Sequence, residues 1–103
     1  MNEILALISL SRRAGKLAAG FDYAVREASK GRAGRIFALA GISDNTYKKL
    51  VKSAEQIGVP VIMLPVSMDE AEFYLGKRTA VLCITEKNLE GRVDELIKNR
   101  AKL

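Results

Sequence analysis

The sequence predicts an α/β fold: a three-layer α/β/α sandwich in a single domain, residues 1–103, around a central sheet of about four strands. Three observations point there. Residues 35–40, 59–64 and 79–84 are nearly unbroken apolar runs, as strands covered on both faces require. Helix-length stretches separate them, and Leu89, Val93, Leu96 and Ile97 share one face of the last. The chain also lies near the lower end of the one-domain range of roughly 100 to 200 residues, long enough for one modest core.

The elements follow in order. Asn2 to about Arg13 reads as a first helix, and Lys16–Ala19 as a short extended piece. A second helix runs from Phe21 to about Lys30, closed by Gly31 and Gly34. After the strand at Arg35–Ala40, Ser43–Thr46 supplies cap candidates for a third helix that ends near Gly58. The next strand, Val59–Leu64, is expected to break at Pro65. Ser67-Met68-Asp69-Glu70 has the form of a capping box and opens a short helix closing at Gly76. Thr79–Ile84 is the last strand, and Thr85 is the expected cap of the final helix.

Absent residues remove whole chemistries. Without histidine there is no His-based triad, neutral-pH proton shuttle or imidazole metal site. Cys83, the single cysteine, lies inside an apolar run and reads as a small buried hydrophobe, which suits a reducing compartment. The apolar stretch Ile4–Leu10 follows an acid and precedes arginines, the reverse of a secretory signal, and falls short of the roughly 20 residues a membrane span needs. A cytoplasmic protein with no membrane partner is the expectation. Gly15-Lys16-Leu17-Ala18-Ala19-Gly20 has the glycine spacing of a phosphate-binding loop, but Phe21-Asp22 stands where Lys and Ser or Thr are needed. Asp69, Glu70 and Glu72 suit a helix first turn better than a cation site. No cofactor, metal or catalytic set is expected, so the chain reads as a non-enzyme.

Charge gives the positive signal. The net charge is +5, with ten Lys/Arg against four Asp/Glu in residues 1–52 and seven against eight in residues 53–103. Within the basic half, Arg12, Arg13 and Lys16 precede Gly20 and a helix start. Unpaired N–H groups and the positive dipole end at such a start attract phosphate, so nucleic acid is the first partner to consider. Other readings stay open for individual residues: Phe21 and Tyr23 as core or staple, Arg26 as a partner of Asp22, and Lys48, Lys49 and Lys52 as a solvated face.

The Arg-Arg-Ala-Gly-Lys approach, the Gly20-x-x-x-x-x-Arg26 helix start, the Ser43-x-Asn45-Thr46-x-Lys48-Lys49 segment and the Val59-Pro60 strand entry, in this order, resemble the kink-turn RNA-binding ribosomal protein family typified by L-seven-Ae and L-thirty-e. The likeness runs from about Ile4 to Ile97 and is greatest to small bacterial, ribosome-associated members. It implies recognition of structured RNA, ribosomal or kink-turn, without DNA specificity and as a monomer. The helix start Gly20, Phe21, Asp22, Tyr23 to Arg26 would enter the RNA groove, with Lys16, Lys30 and Arg32 on phosphates. An apolar loop at Pro65, Val66, Ser67 and Met68 would pack on an extruded nucleotide, and Gly76-Lys77 follows the family pattern. Archetypal members carry Asn-Glu where this chain has Asp22-Tyr23. Two other function classes are compatible with the sequence: a protein-interaction module using an apolar patch at Val66, Met68, Phe73 and Tyr74, and a substrate-binding domain like the one attached to some RNA ribose methyltransferases, which shares this fold but here lacks the catalytic domain.

Overall fold

The computed structural model describes residues 2–101. Among them, five helices and four strands follow in the order α1 (Glu3–Arg13), β1 (Leu17–Ala19), α2 (Phe21–Ser29), β2 (Ile36–Ala40), α3 (Asp44–Ile57), β3 (Val61–Ser67), α4 (Met68–Leu75), β4 (Val81–Ile84) and α5 (Lys87–Ala101). The strands form one mixed sheet in the order β1-β4-β2-β3. β4 runs antiparallel to both β1 and β2, whereas β2 and β3 are parallel.

Alternation along the strands divides the interior into two cores. Phe37 and Leu39 of β2 and Leu82 and Ile84 of β4 face a cluster with Ile4 and Ile8 of α1, Ala71 and Leu75 of α4 and Val93 of α5. Ile36, Ala38, Val81 and Cys83 point the other way, toward Ala24 and Ala28 of α2 and Leu50 and Ala54 of α3. Because successive strand side chains alternate in direction, a doubly covered strand needs apolar residues at every position, as the sequence has. The alanines matter for α2, since small side chains let the helix approach the sheet closely.

Three expectations are corrected. Strand β3 passes through Pro65 and continues to Ser67. It is an edge strand bonded to β2 alone, and its register shifts from Leu39↔Leu64 to Ala40↔Ser67, so the missing proline N–H breaks no ladder bond. The segment Pro65–Met68 is consequently no loop: Val66 is 1% exposed and belongs to the core, and Met68 opens α4. Finally, the cap of α5 is Glu86 rather than Thr85, its carboxylate accepting from Leu89 N–H at 2.6 Å.

Beyond those points, local chemistry behaves as the sequence suggests. Asn2 caps α1, Ser43 caps α3, and Ser67 and Glu70 form the reciprocal capping box of α4. Among the described residues, no helix is long and apolar enough to cross a membrane.

Candidate nucleic-acid interface

β1 and β2 are parallel to each other through their shared antiparallel neighbour β4, and β2 is parallel to β3. The C-terminal ends of β1, β2 and β3 therefore meet at one edge of the sandwich. Gly20, Gly41 and Met68 stand at those ends, and Met68 Sδ lies 3.6 Å from where a Cβ on Gly41 would be.

At this edge α2 begins under unusual conditions. The sheet fixes its entry, because Gly20 N–H donates to Val81 O at 2.9 Å. Gly20 has φ 116° and ψ 151°, a region essentially reserved for glycine, and no side chain caps the helix. α1, α3, α4 and α5 each have a side-chain cap, so α2 alone among the described helices starts without one. Over this start Lys77 extends from the segment after α4, its Nζ 2.9 Å from where a Gly20 Cβ would be. An exposed ammonium thus stands beside the positive end of a helix dipole, a pairing that repels itself and favours an anion between or beside the two.

Ala19, Gly20, Phe21, Asp22, Tyr23, Arg26 and Lys77 line a shallow concavity of about 390 Å³ here. Phe21 is half-buried against the α2–α3 core. Tyr23 is 44% exposed, and the Arg26 guanidinium carbon lies 5.3 Å from its ring centroid. Arg26 therefore stacks on Tyr23, and among the described ion pairs none joins it to Asp22. Arginine on an aromatic face presents its remaining donors outward, a usual arrangement beside bases and phosphates.

The structure separates other residues that the sequence grouped together. Lys16 lies at the opposite end of β1 from Gly20, about 13 Å away at roughly 3.3 Å per residue. Its backbone bonds to Ser11 O and Thr85 N tie it to the far edge of the sheet. Lys30 and Arg32 follow the C-terminal end of α2, about 15 Å from Gly20 at 1.5 Å per residue. Arg32 is further committed to the buried Glu27 carboxylate at 3.0 Å. Arg12 and Arg13 reach a second concavity, lined with Ser9, Phe73 and Tyr74.

Of Pro65–Met68, Pro65 is exposed, Ser67 is engaged in its capping box, Met68 is half-buried, and Val66 is inside. The acids of α4 also have local roles. Glu70 completes the capping box, while Asp69 and Glu72 both pair with Arg78. The sequence placed Lys77 among the RNA-binding residues through the Gly76-Lys77 pattern; its approach to Gly20 comes from the tertiary structure.

No protein-family model matches this sequence, and the search of curated proteins finds no match. Solved structures do match. A protein of unknown function from Bacillus halodurans superposes with a TM-score of 0.83 at 20% identity, over 95% of this chain and 99% of that one. The 15.5kD RNA binding protein of Giardia lamblia superposes with a TM-score of 0.69 at 16% identity, over 96% of this chain and 91% of that one. At such identities the likeness establishes the shared fold.

Proposed function

We propose that this protein is a non-catalytic, cytoplasmic RNA-binding protein that associates with the ribosome and recognises structured, kink-turn-like RNA as a monomer. The observation that carries the reading is the uncapped start of α2 with the Lys77 ammonium beside Gly20. Free N–H groups, a lysine and a stacked arginine converge there at the glycine-lined ends of the strands, a combination suited to phosphate and base edges. The Giardia neighbour binds RNA on the same fold, which supports RNA as the ligand class. In this reading Asp22 takes the base-facing position, accepting hydrogen bonds from a guanine edge. Tyr23 and Arg26 provide a stacking surface beside it.

The test is affinity for a standard kink-turn RNA and for a plain duplex of equal length across a salt series. Selective binding of the kinked RNA, weakened by Lys77→Ala and by Arg26→Ala, is the expected result. Asp22→Asn is expected to sharpen the preference by adding an amide donor. Equal affinity for both RNAs would remove kink-turn recognition, and no binding to either at low salt would remove RNA altogether.

A further inference from the structure

Phe73 is the most exposed of the large apolar side chains, at 83%. Its ring meets Tyr74 edge-on, with centroids 5.3 Å apart and planes at 86°, which leaves a broad Phe73 face open to solvent. Together with Ser9, Arg12 and Arg13 the two rings line a concavity of about 510 Å³ between α1 and α4. Arg12 donates one long hydrogen bond to Tyr74 O, at 3.5 Å, and neither arginine is in an ion pair among the described residues. The neighbouring acids Asp69 and Glu72 share one counter-charge, Arg78, which draws both carboxylates to itself and leaves the two arginines of α1 free of them.

This patch is continuous with the α2 site. The Arg12 guanidinium lies against Gly76, and the next residue, Lys77, reaches Gly20. A basic track therefore leads from the helix start, across the end of α4, to an exposed aromatic flanked by two arginines. One exposed ring sharing a concavity with two arginines is small for a protein docking face, which takes about 800 Å² from each partner. It matches the size and charge of a single unpaired nucleotide, whose base stacks on the ring while flanking phosphates meet the arginines.

We propose that Phe73, Arg12 and Arg13 form a second RNA subsite, which binds an unpaired nucleotide in a single-stranded extension of the RNA held at α2. The proposal rests on RNA binding at α2, and the experiment separates the two. Affinity is measured for the kink-turn RNA with blunt ends and for the same RNA carrying a short single-stranded extension, with 2-aminopurine in the extension reporting stacking.

The wild type is expected to bind the extended RNA at least about fivefold tighter, with quenched 2-aminopurine. Phe73→Ala should abolish that difference and the quenching while leaving affinity for the blunt RNA unchanged, and Phe73→Trp should retain both. Equal affinity of the wild type for the two RNAs, or a preference that survives Phe73→Ala, overturns the subsite while RNA binding at α2 stands. Failure to bind either RNA overturns both. Self-association in sedimentation that Phe73→Ala removes, with affinity for both RNAs unmoved, would assign the patch to a protein contact and overturn the proposal as well.

Discussion

Lys77 and Gly20 meet across the end of the sheet, with the lysine Nζ 2.9 Å from where a glycine Cβ would stand. The space a side chain would take is filled by a cation that belongs to another part of the chain. Two substitutions separate backbone from charge. Gly20→Ala forces a side chain onto φ 116° and is expected to lower stability by about 1–3 kcal/mol in urea unfolding. Lys77→Ala is expected to leave stability nearly unchanged, weaken RNA binding, and reduce the slope of log affinity against log salt by about 0.9, the value of one phosphate contact.

Glu90 holds α5 to the segment before β2. Only 6% exposed, it accepts from Gly34 N–H at 2.9 Å and Arg35 N–H at 3.2 Å, and its other oxygen lies 3.8 Å from the Arg35 guanidinium. Glu90→Ala strands two backbone donors, so a loss of about 2–3 kcal/mol is expected in urea denaturation. Glu90→Gln keeps a carbonyl acceptor and should lose about half as much. Equal losses in the two variants would mean that charge, not the backbone donors, sets the role of Glu90.

Ser67 separates a folding role from a binding role. Its hydroxyl accepts from Glu70 N–H at 3.0 Å while the Glu70 carboxylate accepts from Ser67 N–H at 2.9 Å. Ser67→Ala should cost about 1 kcal/mol of stability, read from the thermal midpoint, and leave RNA affinity unchanged. A drop in affinity without a drop in stability would return Ser67 to the interface.

Cys83 sets an alkaline limit. Burial first, then the nearby charges of Glu90 and Glu27, push its thiol up to about 12 from 9.0. Well below pH 9 the thiol is neutral in both folded and unfolded chains and contributes no pH dependence. Above it the unfolded chain loses the proton first, so stability falls as pH rises from 9 toward 12. Cys83→Ala should flatten that decline relative to wild type in urea titrations at pH 8 and pH 10. A thiol reagent at pH 8 should label the native protein only at the rate of unfolding.

How far the fold was legible depends on the range of the forces. The Ser67–Glu70 capping box, the Ser43 cap and the glycine stops at Gly58 and Gly76 act within a few residues, so sequence alone reveals them. Strand existence was equally clear, because doubly buried strands must be apolar throughout. Pro65 misled, since whether proline ends a strand depends on whether that strand lies at an edge. The cap of α5 also slipped by one residue, from Thr85 to Glu86, where two adjacent oxygen-bearing side chains compete for the same N–H groups.

The site was legible only in part, for the same reason. Local residue chemistry by itself determined the layered α/β class, the helix starts and the basic stretch that opens at Arg12 and continues to Gly20. Tertiary structure decided which cations gather. β1 carries Lys16 away from Gly20, and α2 carries Lys30 and Arg32 to its far end. The turn after α4 returns Lys77 to Gly20 and leaves Gly76 under Arg12. Those distances follow from the strand order β1-β4-β2-β3, and that order is set by the fit of two apolar faces into two cores, a long-range packing that no local pattern encodes.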